Sequence, residues 1–258
     1  MIDSVIKTCK DFVEKVLKKE NWFRQLTDNK DYDLLLLTGT ATEQAKDKFS
    51  DIDIFLVCKY EVQIKYSLKP VRIFNYKGKK FEVSVLSTEK LFNDQYDKEN
   101  IHWWHHTYII KSYNKKAEKA LSKASHLTKK ELLDRLWTNF VYFEINTADI
   151  EKQIQRKEPL SVRLLFNENI KIMIDSELVR KREFPSCKQL GRVLQQINRS
   201  LYNKILRAQN FNSFEELKDH NTKLRLHLIG ILKEQGFSIE EINNWENCNL
   251  ERITFQYR

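Results

Sequence analysis

Two aspartates, Asp51 and Asp53, stand one residue apart at the start of the apolar run DIDIFLVC. Alternation along a strand would place both carboxylates on one face, at one end of a sheet. Like charges at that separation repel each other and cost stability unless a cation or a proton lies between them. Magnesium is the cation that proteins commonly hold with one or two carboxylates and the phosphates of a substrate. The pair therefore predicts a site for phosphate chemistry at the end of a sheet.

The residues before this pair give it a strand and a turn. Leu34–Leu37 is an apolar run, Gly39-Thr40 follows as a turn, and a short helix is expected within Ala41–Lys48 before the second strand at Ile52–Val57. The elements thus follow in the order strand, turn, helix, strand. This order predicts that the Gly39-Thr40 turn lies beside the two aspartates.

A third carboxylate lies in a later strand. Val71–Asn75 and Lys80–Leu86 flank Gly78, which can take the positive φ of a tight hairpin turn. Glu82 lies in the second of these strands, and its neighbours Phe81 and Val83 are apolar. Burial of an acidic side chain on an otherwise apolar strand costs free energy unless a cation binds to its carboxylate.

Helical periodicity dominates the rest of the chain. In the first half we predict helices at Asp3–Lys19, Thr88–Tyr96 and Asn114–Ser122 and a strand at Thr107–Lys111. In the second half the predicted helices are Lys129–Gln155, Val162–Arg182, Lys188–Arg207, Phe214–Gln235 and Ile239–Trp245, the first of them opened by a Thr128/Glu131 capping box. The expected fold is α+β: residues 1–125 form a mixed sheet with flanking helices, and residues 126–258 form an all-α helical bundle.

Composition narrows the classes of protein. The 258 residues contain no apolar run of bilayer length and no signal-peptide pattern near the start, so we expect a cytoplasmic protein without a membrane partner. The four cysteines are scattered without a zinc or disulfide spacing. The net charge of +9 is spread evenly, which suits anionic ligands such as nucleotides and leaves nucleic acid open without favouring it. Five glycines provide no glycine-rich phosphate loop.

The turn, the aspartate pair and Glu82 together resemble the nucleotidyltransferase superfamily typified by DNA polymerase beta. Asp51 follows Gly39 by twelve residues, as in that pattern. The size and the helical second half are most similar to the antibiotic nucleotidyltransferases, notably the kanamycin-type enzymes. The resemblance implies a nucleotidyltransferase-type sheet domain and transfer of a nucleoside monophosphate from ATP or another nucleoside triphosphate.

The same resemblance assigns roles to individual residues. Asp51, Asp53 and Glu82 would bind one or two magnesium ions, and all three are expected to be catalytic. Gly39, Thr40, Thr42 and Ser50 would bind the nucleotide, with backbone N–H groups of the turn holding the triphosphate. Thr40 keeps the hydroxyl of the commoner serine, whereas Thr42 stands where these enzymes often have glycine.

Glu144 is the candidate for the catalytic base. It follows Phe140 by four residues and Val141 by three, so it projects from the apolar stripe of its helix. A carboxylate among apolar groups has a raised pKa, which suits a group that deprotonates an acceptor hydroxyl. In the kanamycin-type enzymes the base is a glutamate in a segment similar to this one. The alternative is that Glu144 pairs with a cation such as Arg163.

The sequence therefore predicts a magnesium-dependent enzyme that releases pyrophosphate while it transfers a nucleotide to a small-molecule hydroxyl. From the resemblance, the expected acceptor is an aminoglycoside or lincosamide antibiotic, so the expected biological role is antibiotic resistance, and a homodimer remains open. One alternative keeps the chemistry but uses tRNA or a protein as the acceptor, as in toxin–antitoxin systems. Another is a paralogue that binds a nucleotide without catalysis, prompted by Thr42.

Overall fold

A computed structural model describes most of the chain, namely residues 2–39, 42, 51–98, 100–185 and 189–247. Contacts within the chain divide it into two compact units. The first comprises Met1–His126 with Phe184–Gln189, and the second comprises Leu127–Glu183 with Leu190–Arg258.

Over its described residues, the first unit contains a five-stranded sheet and short helices. Its strands are β1 (Leu34–Thr38), β2 (Ile52–Cys58), β3 (Val71–Tyr76), β4 (Lys79–Ser87) and β5 (Tyr108–Ser112). Its helices are α1 (Ile2–Lys15), α2 (Asn21–Asn29), α3 (Tyr60–Lys65), α4 (Thr88–Asp97), α5 (Ile101–Trp104) and α6 (Lys115–Ala124). Ser87 caps α4, because its hydroxyl accepts a hydrogen bond from the N–H of Lys90.

The sheet is mixed, with the strand order β3-β4-β2-β1-β5. β2 runs parallel to β4, whereas β1 pairs antiparallel with β2 and β5, and β3 pairs antiparallel with β4. The predicted hairpin around Gly78 and the predicted α+β class are confirmed.

Alternating residues of the strands build a core on each face of the sheet. Leu35 and Ile54 belong to one core with helices α1 and α2, in which Phe12 stacks on Phe81 at a ring distance of 4.0 Å. The other core contains Leu34, Leu36, Val57, Leu91 and Trp104. Since both faces are covered, β1 is buried along its whole length.

The first half differs from the sequence prediction in its short helices. The helix predicted over residues 3–19 ends at Lys15, and a separate 3-10 turn covers Leu17–Lys19. The apolar spacing continues through this turn because Leu17 is buried, so periodicity alone does not show the break. α2 and α3 were not predicted. No side-chain cap opens either of them, so the usual start signal is missing from the sequence.

The second unit is helical over its described residues. Its helices are α7 (Lys129–Gln155), α8 (Pro159–Lys181), α9 (Leu190–Ile197), α10 (Arg199–Ala208), α11 (Phe214–Glu234) and α12 (Ile239–Asn243), and a 3-10 turn covers Trp245–Asn247. α7 packs against α8, and α11 packs against both. The predicted capping box of Thr128 and Glu131 opens α7. Within the described part of the chain, no helix has both the length and the apolarity to span a bilayer.

The single helix predicted over residues 188–207 is wrong. α9 ends at Ile197, and Asn198 adopts φ −153° and ψ 78° before α10 begins. The Asn198 side chain accepts a hydrogen bond from the N–H of Leu201, which caps the second helix. Asparagine favours this position because its side chain can replace a backbone hydrogen bond.

The same break brings Asn198 to a buried carboxylate. Glu177 on α8 has no exposed side-chain surface and accepts hydrogen bonds from Arg180, Asn198 and His227. Burial alone would raise the pKa of Glu177, but the hydrogen bonds from His227, Arg180 and Asn198 outweigh it and hold the pKa at about 2. This carboxylate therefore ties α8 to α10 and α11.

The depressed pKa of Glu177 predicts a pH dependence of stability. Its stabilising effect is complete above the unfolded pKa of 4.5 and is lost as the pH falls towards the folded pKa of about 2. We expect the free energy of unfolding to decrease over that window by on the order of 3 kcal/mol more in the wild type than in Glu177→Gln. Urea denaturation at several pH values measures it, with the exposed Glu240→Gln as the control. Parallel pH curves for the wild type and Glu177→Gln would contradict it.

Candidate functional site

The parallel register of β2 and β4 places two carboxylates side by side. Asp53 on β2 is the direct neighbour of Glu82 on β4. On its other side Asp53 lies opposite Thr38, the last residue of β1. Both acidic residues are half-buried at the end of the sheet where β1 leads into the Gly39 turn.

Gly39 lies directly against Asp53. It has φ +73°, a conformation that glycine adopts at little cost. A Cβ atom built on Gly39 would overlap Oδ2 of Asp53 and lie 2.9 Å from its Cγ. With Asp53 in this position, only glycine fits beside its carboxylate.

The turn itself is closed by Thr42. Its backbone N–H donates to the carbonyl oxygen of Gly39 at 3.0 Å, and its hydroxyl donates to the same oxygen at 2.7 Å. The hydroxyl is thus used within the turn. Thr40 and Ser50 lie outside the described residues. The helix predicted within Ala41–Lys48 also lies outside them, apart from its residue Thr42.

Asp51 is the third acidic residue at this end of the sheet, and it is paired with Lys80, a residue that the sequence did not identify. Lys80 on β4 donates from Nζ to Oδ2 of Asp51 at 2.8 Å. The hydrogen bond to Asp51 and the negative charges of Asp51, Glu82 and Asp53 raise the pKa of Lys80 above its usual value. One ammonium therefore lies within the field of all three carboxylates, which we call the carboxylate cluster.

The carboxylate cluster fits a hard divalent cation by its donor chemistry. It offers several carboxylate oxygens on neighbouring backbone positions, the ligands that Mg²⁺ takes from proteins. The position of Lys80 shows that positive charge is stabilised at this place. The oxygens of Asp51, Asp53 and Glu82 do not all lie within 4.8 Å of one another, so these residues match the implied ion in ligand chemistry but do not form a closed cage for it.

The face of the sheet that carries Asp53 is fixed by aromatic residues. The Thr38 hydroxyl donates to the carbonyl oxygen of Trp103 at 2.9 Å. Phe55, two residues after Asp53, meets Trp104 edge to face at a ring distance of 5.8 Å. These contacts fix the end of β1 and the part of β2 that follows Asp53. The backbone that carries the Asp53 carboxylate is therefore held in place.

Glu144 belongs to the second unit, on α7. It is buried, with 9% of its surface exposed, as its place in the apolar stripe predicts. Its partner is Arg225 on α11, whose Nε donates to Oε1 at 2.6 Å. The suggested partner Arg163 instead lies over the ring of Phe211 at 4.5 Å. The role of Glu144 as a base stays a prediction, and its surround is not purely apolar.

Lys80 has a recognisable signal in the sequence. It precedes Glu82 by two residues, so strand alternation puts both side chains on the same face. Lysine at the end of a strand is commonly read as a solvated charge, and the sequence alone does not show that Asp51 lies beside it. Once β2 and β4 are known to be neighbours, the pairing follows.

No family model and no curated protein matches the sequence. The fold matches the crystal structure of a nucleotidyltransferase-like protein from Exiguobacterium sibiricum 255-15, with a TM-score of 0.54 and 9% sequence identity. The match covers 96% of this chain and 81% of that one. The two proteins therefore share a fold over nearly all of this chain.

The contact between Gly39 and Asp53 predicts the cost of adding a methyl group. Gly39→Ala and Gly78→Ala both place alanine at a positive φ, which costs about 1–2 kcal/mol. A Cβ on Gly78 meets no described atom within 4 Å, whereas one on Gly39 collides with Asp53. We expect Gly39→Ala to lose a further 1–3 kcal/mol or so in free energy of unfolding. Chemical denaturation of both variants measures the difference, and equal losses would contradict the contact.

Proposed function

We propose that this chain is a magnesium-dependent nucleotidyltransferase that moves a nucleoside monophosphate from a nucleoside triphosphate to a hydroxyl group and releases pyrophosphate. The observation that carries the proposal is the pairing of Asp53 with Glu82 in adjacent strands, against the Gly39 turn. The shared fold with a nucleotidyltransferase-like protein supports the same reaction class.

Each residue of the site has a role in this reaction. The carboxylate cluster would hold one or two magnesium ions. When bound, magnesium would neutralise the phosphates and favour in-line attack at the α-phosphorus. The turn that begins at Gly39 brings backbone close to the cluster, where its N–H groups would bind the outer phosphates.

The bonds exchanged define what the chain must supply. The acceptor oxygen forms a bond to the α-phosphorus, and the bond from that phosphorus to the bridging oxygen of pyrophosphate breaks. The hydroxyl proton passes to a base, for which we propose Glu144. Its hydrogen bond from Arg225 fixes the orientation of the carboxylate and leaves Oε2 as a further acceptor.

The acceptor that we propose is a small molecule with a free hydroxyl, of the aminoglycoside or lincosamide class. This part of the proposal rests on the resemblance of the sequence to the kanamycin-type enzymes. An acceptor panel that also contains total tRNA and protein distinguishes the alternatives, because label transferred to either macromolecule would replace the antibiotic assignment and keep the chemistry.

Replacement of one cluster carboxylate tests the reaction. We expect Asp53→Asn to lower pyrophosphate release by about 10²–10³-fold or more, since it removes a charge that would hold the cation at the reacting phosphate. The measurement is pyrophosphate release with each nucleoside triphosphate across the acceptor panel. Asp28→Asn, at an exposed position of α2, is the matched control and should keep full turnover. Turnover by Asp53→Asn equal to the control would contradict the proposal, as would nucleotide binding without turnover in the wild type.

The base has its own test. Glu144→Gln keeps the shape of the side chain but removes the group that would take the proton. We expect kcat to fall by about 10²–10⁴-fold with nucleotide affinity unchanged. Glu151→Gln, an exposed position on the same helix, controls for changes in α7. If Glu144→Gln lowers the melting temperature but not kcat, Glu144 serves only as the partner of Arg225.

A further inference from the structure

We propose that Lys80 is a built-in counter-ion of the carboxylate cluster, which a divalent cation must displace before catalysis. This inference rests on the proposed function and concerns the regulation of the same site. Lys80 would stabilise the cluster when no divalent cation is bound, and it would also set the cation concentration at which a divalent cation binds.

The geometry gives the ammonium access to the cluster and a way out of it. Nζ of Lys80 donates to Asp51 at 2.8 Å, and the two side chains are 40% and 37% exposed. Lys80 lies two residues before Glu82 on β4, so both point to the face on which Asp53 stands. A half-exposed lysine on a flexible four-carbon stem can leave without moving the strand.

Charge explains why some cation must be present. The cluster carries three carboxylates on neighbouring backbone positions, and like charges that lie near one another repel. A single ammonium in their common field offsets part of that repulsion. Lys80 therefore stabilises the arrangement of the site when no divalent cation is bound.

The same contact opposes a metal ion. Magnesium requires near-octahedral oxygen ligands at about 2.0–2.1 Å, and Oδ2 of Asp51 already accepts a hydrogen bond from Lys80. An ammonium a few ångströms from a divalent cation also repels it. Retention of Lys80 at Asp51 therefore weakens cation binding there.

Displacement gives the freed ammonium a second partner. Lysine is a point-charge binder of phosphate, and the donor nucleotide brings a polyanionic triphosphate to this end of the sheet. Lys80 should therefore oppose the binding of the cation alone and favour the binding of the nucleotide with its cation. The two effects have opposite signs, which a residue with a purely structural role would not produce.

Calorimetry on the full chain tests this prediction with Mn²⁺ and Mg²⁺ as probes. For Lys80→Met we expect cation affinity to rise about tenfold without nucleotide, because a repulsive charge is gone. We expect the affinity for ATP at saturating cation to fall about tenfold, because a phosphate partner is gone. Lys80→Arg keeps the positive charge, so its cation affinity and its ATP affinity should both stay close to those of the wild type. Lys79→Met, the adjacent strand position on the other face, should change neither affinity.

The outcomes separate this inference from the proposed function. Equal cation affinities in the wild type and Lys80→Met, or weaker binding in a folded variant, would overturn the role of Lys80 and leave the nucleotidyltransferase proposal standing. No cation binding in any variant would overturn both. Thermal unfolding without cation adds a readout independent of binding: we expect Lys80→Met to melt below the wild type and added Mn²⁺ to reverse the difference.

Discussion

The parallel pairing of β2 with β4 is the constraint on which the rest of the site depends. Its register sets Asp53 beside Glu82, and the continuation of the chain before β2 adds Asp51. The acidic side chains need both room and opposite charge. Gly39, which has no side chain, leaves room for Asp53, and Lys80 brings a positive charge to Asp51.

The carboxylates of the two units differ in burial and in hydrogen bonding. This difference distinguishes a carboxylate with a structural role from one that a ligand can reach. Glu177 is fully buried and receives hydrogen bonds from three side chains, so its charge is satisfied by the protein alone. The carboxylate cluster is half-exposed: Asp51 accepts a hydrogen bond from Lys80, and Glu82 accepts one from the Ser84 hydroxyl at 3.5 Å. Carboxylate oxygens that solvent and ligands can reach are what a cation site requires.

The long elements could be predicted from the sequence, because they leave periodic signals. The α7 helix with its Thr128 cap and the hairpin at Gly78 follow from apolar spacing and turn chemistry alone. The break at Asn198 could not be read in the same way, since the residue breaks one helix to cap the next. Lys80 was missed because its meaning depends on a strand neighbour far away in the sequence. The partner of Glu144 was missed for the same reason, as Arg225 lies on another helix.

Gly39 and Lys80 stabilise the cluster through forces of different range. The contact of Gly39 with Asp53 depends on van der Waals fit, which acts over a few tenths of an ångström and does not respond to salt. The pairing of Lys80 with Asp51 is partly exposed and is therefore weakened by ionic strength. The position of Asp53 is thus set by packing, while the charge around Asp51 can change with the ions in solution. On the proposed function, exchange of the lysine for a divalent cation would leave the shape of the cluster unchanged, because the residue that fixes the geometry and the residue that supplies the charge are separate.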